Sequence, residues 1–124
     1  MLVVAKYSKE SAAFATEAEA LADFTSAATE EQKDEFAQFE ADALNSGLVT
    51  QPVTYEWTDG NTIIVVVNLG NFFTQSQLTT VLAREQTFSQ AGWIKVFNQV
   101  DGIDVETRDS RHYVNGILVP VLPG

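Results

Sequence analysis

The chain contains no cysteine, a single histidine, three prolines and no apolar run longer than five residues. Without cysteine there are no disulfides, thiolate metal sites or cysteine nucleophiles. Runs of five, such as residues 63–67, fall far short of the ~20 residues a membrane-spanning helix needs. Positive charge is also scarce: 7 Lys+Arg stand against 17 Asp+Glu, a net charge of −10. A phosphate backbone is neutralised by clustered cations, so direct nucleic-acid binding is not expected. The seven glycines stand singly. None builds a GxGxxG or GxxxxGK[ST] phosphate loop, and no GxSxG nucleophile elbow occurs.

What remains is ordinary globular material. The chain has 124 residues with 45% hydrophobic content, the size and composition of one domain with its own core. Its first positive charge, Lys6, follows the apolar residues Leu2, Val3 and Val4. A secretion signal has the reverse order and a longer apolar stretch. The expected location is therefore a host cytoplasm or a virion, without membrane association.

Two kinds of pattern divide the chain. Residues 1–47 hold 10 acids and 3 bases, whereas residues 48–124 hold 7 acids and 4 bases. Residues 9–45 lack Gly and Pro and are rich in Ala, Glu, Asp and Gln, a helical composition. Phe14, Ala18, Leu21, Thr25 and Ala28 recur at helical spacing. Thr29 with Gln32 fits a capping box, which splits the segment into two helices near 26–29. The second helix carries Phe36, Phe39, Ala43 and Leu44 and stops before Asn45-Ser46-Gly47, with Gly47 suited to a left-handed cap.

Beyond residue 48 the period changes to two, and three tight-turn dipeptides appear: Asp59-Gly60, Asp101-Gly102 and Asn115-Gly116. Each favours a two-residue hairpin. A loop at 59–60 pairs Trp57 with Thr62, Tyr55 with Ile64 and Val53 with Val66, gathering Val53, Tyr55, Trp57, Ile64 and Val66 on one face. A loop at 101–102 pairs Val100 with Ile103 and gathers Ile94, Val96, Val100, Ile103 and Val105, leaving Trp93 and Phe97 opposite. A loop at 115–116 pairs Val114 with Ile117 and His112 with Val119. Between the first two hairpins, Leu78, Val81, Leu82, Glu85 and Phe88 form a helical stripe, with Thr74 or Ser76 as cap and Gly92 as stop. Asp109-Ser110 is a further turn. The expected class is α+β: strand, helical pair, hairpin, helix, antiparallel meander. The division is a single domain, 1–124, with an acidic helical part (1–47) and a hairpin–helix–meander part (48–124).

Residues able to do chemistry are few. His112 falls mid-strand beside Val114, Ile117 and Val119, with no second histidine and no cysteine to complete a catalytic or metal set. Asp101, Asp104, Glu106 and Asp109 form the densest acidic cluster outside the helices. Their spacing matches no EF-hand, and the hairpin sends Asp104 and Glu106 to a solvated face. No catalytic residue, metal or cofactor is expected.

The unabsorbed feature is apolar surface. Trp93 and Phe97 fall on the far face of their strand. The terminal stretch Ile117, Leu118, Val119, Val121 and Leu122, interrupted by Pro120, exceeds what one strand face buries. These seven residues are the candidate interaction surface. The expected function is a non-enzymatic structural or assembly protein that contacts protein subunits, copies of itself or other components of a complex. A bacteriophage virion or tail component is the concrete version. Two other readings compete with it. An acidic helical pair suits an inhibitor or decoy of a nucleic-acid-binding protein, and the aromatics would suit a small-molecule-binding domain. A polar cleft around His112 would point to small-molecule chemistry; a flat apolar face would point to assembly.

Overall fold

The computed structural model describes residues 2–47, 49–68, 75–108, 111–114 and 116–118. Its elements are β1 (Leu2–Ser8), α1 (Glu17–Ser26), α2 (Glu30–Asn45), β2 (Val53–Thr58), β3 (Thr62–Asn68), α3 (Gln75–Gln90), β4 (Ile94–Val100), β5 (Ile103–Arg108), β6 (Arg111–Val114) and β7 (Ile117–Leu118). The strands form one sheet in the order β2-β3-β1-β4-β5-β6-β7, and every neighbouring pair is antiparallel. The class is α+β, with the helices packed on the sheet.

The connectivity is informative. β1 and β2 run parallel with β3 inserted between them; β3 and β4 run parallel with β1 inserted. Two β-α-β units therefore interlock in the split β-α-β (ferredoxin-like) arrangement, with a helical pair as the first crossover. β5, β6 and β7 extend it as a meander on the β4 side.

The helices form where local chemistry starts and stops them. Thr16 caps α1 by accepting from the Glu19 backbone N–H. At α2, Thr29 and Gln32 exchange both bonds of the capping box, at 3.1 and 2.9 Å, so the split expected at 26–29 is present. Gly47, at φ +74°, supplies the left-handed residue after α2. Residues 9–16 do not join α1. The Lys9 N–H donates to the Asn61 carbonyl and the Phe14 N–H to the Gly60 carbonyl, which ties this segment to the β2–β3 turn instead. The buried face of α1 is Ala20 and Phe24, while Ala18 and Thr25 are exposed. This turns the expected stripe toward Phe24, the larger apolar side chain. On α2, Phe39 is buried and Phe36 packs against the core, but Leu44 is exposed. On α3, Leu82 and Phe88 are buried and Val81 packs beside them. Of the two expected caps, Thr74 lies outside the described residues, and Ser76 is the second residue of α3 and so does not cap it.

Two expected registers are corrected. Thr58 pairs with Thr62, Trp57 with Ile63, Tyr55 with Val65 and Val53 with Val67, so the first turn has three residues, Asp59–Gly60–Asn61. Asn61 is drawn out of the ladder because its carbonyl accepts from Lys9. The core face therefore carries Ile63, Val65 and Val67, with Ile64 and Val66 on the other face. The second correction is a β-bulge. Lys6 faces Phe97 and Tyr7 faces Lys95, leaving Val96 as the extra residue. The bulge switches parity, so Trp93 joins Asn98 and Val100 toward the helices and is fully buried (0% exposed). Ile94 (52%) and Val96 (55%) are instead exposed. The pair Val100–Ile103 and the pair Val114–Ile117 stand in register as expected. The partner expected for His112, Val119, and the turn at Asp109-Ser110 lie outside the described residues.

The core lies between the helices and the inner sheet face. Phe24 stacks on Phe88 at 4.2 Å between centroids and meets Trp93 edge-on at 5.2 Å, while Tyr7 tilts against both phenylalanines. The Trp93 indole N–H donates to Asp23 at 3.0 Å, and the same carboxylate oxygen pairs with Lys9 at 2.8 Å. In the first turn Asp59 holds φ +57°, which proline's ring forbids. Asp59→Pro is expected to destabilise the chain by more than about 1 kcal/mol in denaturant titration.

Candidate functional site

The side of the sheet away from the helices carries no covering layer among the described residues. Strand alternation and the observed pairings place three rows of side chains there. One row runs Glu56–Ile64–Lys6–Phe97, a second runs Thr54–Val66–Val4–Gln99–Asp104, and a third runs Thr58–Thr62–Ser8–Ile94. Leu2 and the bulged Val96 extend the apolar part. Leu2, Ile94 and Val96 are exposed, while Val4, Ile64, Val66 and Phe97 are half-buried by their neighbours. The result is an apolar band over β3, β1 and β4 with Lys6 in its middle. Glu56 flanks it on β2, and Asp104 and Glu106, both exposed, flank it on β5.

Of the seven residues expected to form an interaction surface, the structure distributes four. Phe97 belongs to this open face. Leu118 pairs with Tyr113 on the edge strand β7. Ile117 shares the helix side with Val114 but is 72% exposed at the margin. Trp93 is in the core, so the expectation that it faces outward is corrected by the parity switch at Val96. Val119, Val121 and Leu122 lie outside the described residues. Sequence reasoning missed Ile94, Val96, Ile64, Val66 and Val4, which carry most of the open band. The unbroken apolar run 63–67 signalled that both faces of β3 are apolar.

The inner face holds a second feature, a cavity of about 220 Å³ between sheet and helices. Val3, Ala5, Val65, Val67 and Tyr55 form its floor with Tyr7 and Asn98; Phe24, Phe36, Phe88 and Arg84 close it from the helices. Thr25, Lys33 and Ala37, the exposed members of the lining, mark its mouth between α1 and α2. Arg84 is only 9% exposed. It donates to the Gln32 carbonyl and stacks on Phe36, its guanidinium carbon 4.5 Å from the ring centroid. Among the described residues its Nε–H has no partner, and neither has the Oδ1 of Asn98, a residue 3% exposed. Burial pulls the Arg84 pKa down, and the charge of Glu35 together with the Tyr55 and Tyr7 phenols pulls it back. Burial also raises the Tyr7 phenol well above its usual range, with Glu85 adding to the shift and Arg84 opposing it, so its hydroxyl stays protonated.

No family model, curated protein or solved structure matches this chain.

His112 is half-buried on β6 and is not part of the cavity lining. Among the described residues no group of three His, Cys, Asp or Glu side chains is placed to hold a metal. Burial lowers the pKa of His112; Glu85 and a backbone hydrogen bond at Leu82 act to raise it and Lys95 to lower it. The unfolded imidazole, with a pKa of about 6.5, therefore binds its proton first as pH falls. The stabilising contribution is complete above that value and is lost as pH drops through the lower folded value. His112→Gln is expected to flatten the fall of melting temperature between about pH 7 and pH 5, read by thermal denaturation.

Proposed function

We propose that this chain is a non-enzymatic structural subunit that acts by protein–protein contact through the open face of its sheet, with a second copy of itself as the first partner. The observation that carries the reading is the apolar band of Leu2, Val4, Ile64, Val66, Ile94, Val96 and Phe97 on a sheet covered from one side only. Burying each leucine- or valine-sized side chain contributes about 1.5–3 kcal/mol, so the band holds a large driving force for association.

Charge favours a second copy. The acids concentrate in residues 1–47, ten against three bases, and both helices in that segment pack on the opposite side of the sheet. Face-to-face stacking at about 10 Å, with strands about 30° apart, keeps those acidic helices outermost and distant from each other. The open face itself nearly balances. Lys6 and Glu56 lie two strands apart in one row, with Ile64 between them. A two-fold axis between the sheets that crosses the row at Ile64 and lies within about 15° of β3 brings each Lys6 toward the Glu56 of the other copy. The larger assembly proposed is a virion or tail structure of a bacteriophage.

Light scattering over a range of protein and salt concentrations tests this. The expected species is a dimer or larger that persists in high salt, because apolar burial is unscreened and the repulsion of net −10 copies is reduced. A monomer under every condition overturns self-association.

A further inference from the structure

The cavity presents what an apolar core does not tolerate without reason: a cationic fork and an amide oxygen, both buried, both with unmet hydrogen-bonding capacity. An unpartnered buried polar atom costs about 1–3 kcal/mol, more when charged. Arg84 has no carboxylate within 4 Å among the described residues; the ion pairs there are Lys9–Asp23, Lys33–Glu30 and Lys95–Glu85. Its Nε–H keeps a donor free, and Tyr7 shares the cavity lining with it. Asn98 offers an acceptor from the sheet floor. At the mouth, Lys33 and Glu40 contribute opposite signs, so Arg84 decides the charge preference inside.

Size narrows the choice. An apolar cavity of about 150 Å³ accommodates benzene, and this one measures about 220 Å³. A six-membered ring with two short substituents fills it. Phe24, Phe36 and Phe88 supply aromatic walls for a ring.

We propose that this cavity is a binding site for a small aromatic hydroxy-acid, its carboxylate on Arg84 and its hydroxyl donating to Asn98. A guanidinium is suited to a planar carboxylate, which it grips by parallel N–H donors. The hydroxyl supplies the proton that the Asn98 oxygen lacks. Phe24, Phe36 and Phe88 hold the ring between these two anchors. The site is separate from the open sheet face, so it stands or falls independently of self-association.

Titration of the intact, isotope-labelled protein with 4-hydroxyphenylacetate, phenylacetate and 4-methylphenol, followed by amide NMR, tests the assignment. The expected order is 4-hydroxyphenylacetate tightest, with each of the other two at least about tenfold weaker, since each loses one anchor. Shifts are expected at Val65, Val67, Phe88 and Asn98. In Arg84→Gln the preference for 4-hydroxyphenylacetate over 4-methylphenol disappears. In Asn98→Leu that over phenylacetate disappears while the carboxylate preference remains. Equal binding of all three ligands, shifts confined to the open sheet face, or no binding at millimolar concentration would each overturn the proposal. The last result would mean that water alone meets these polar atoms. Because the ligand series is read on the unmutated chain, a variant that fails to fold leaves the test intact.

Discussion

Phe24→Ala is expected to cost about 3–5 kcal/mol, the range for truncating a fully buried aromatic. Phe24 is the hub of the aromatic core, in ring contact with Tyr7, Tyr55, Phe88 and Trp93. It also borders the cavity, so the space left by its ring merges with existing space. Destabilisation grows by about 24 cal/mol for each Å³ of cavity that fails to collapse, which places the cost toward the upper end. Domains of this size are stable by about 5–15 kcal/mol, so the variant sits close to unfolding. Urea denaturation should show a lower midpoint with an unchanged slope. Leu44→Ala is the contrasting case. Its periodicity resembles a core position, yet the side chain is exposed, and the change should stay within about 0.5 kcal/mol. Comparable losses from the two substitutions would mean that the helices seat differently on the sheet.

Local signals in the sequence were sufficient for most of the elements. The capping box at Thr29–Gln32 separates α1 from α2, and Asp101-Gly102 sets the Val100–Ile103 register, because each is decided by a few adjacent residues. Errors arose where distant backbone decided the outcome. Asp59-Gly60 carries the same turn chemistry as Asp101-Gly102, but the segment after β1 takes the carbonyls of Gly60 and Asn61, and the turn lengthens by one residue. In residues 63–67 both parities are apolar, so alternation offered no check on the slip. The bulge at Val96 follows a similar logic. Trp93 and Val100 are an odd number of positions apart, so a regular strand cannot direct both to the core, and one extra residue resolves the conflict. Asn98 shares the parity of Val100 and faces inward without that switch. The cavity was illegible: it depends on Arg84 from α3 and Asn98 from β4, joined only by the order of the sheet. The apolar excess was legible as a quantity, but its location on β1, β3 and β4 depends on those same two register decisions.

Val96→Glu is expected to abolish self-association while leaving the monomer folded. Val96 is the bulged residue of β4, 55% exposed in the single chain, so a carboxylate there is solvated and changes monomer stability by no more than about 0.5 kcal/mol. Stacking a second sheet over it removes that water. An uncompensated buried charge costs about 3–5 kcal/mol, a weakening of at least a hundredfold in the association constant. Val96→Thr removes less apolar character and adds no charge, and should weaken association far less. The pH dependence has a definite sign. Below the carboxyl's own pKa of about 4.3 the side chain is neutral, so association of the Glu variant should recover as pH falls through that value, whereas the parent gains no comparable increment. Sedimentation of parent and variant across pH 3.5 to 7, with melting curves run alongside, separates the outcomes. If Val96→Glu leaves the mass of the assembly unchanged at neutral pH, the open sheet face is not the contact surface, and the edge strand β7 with its exposed Ile117 becomes the remaining candidate.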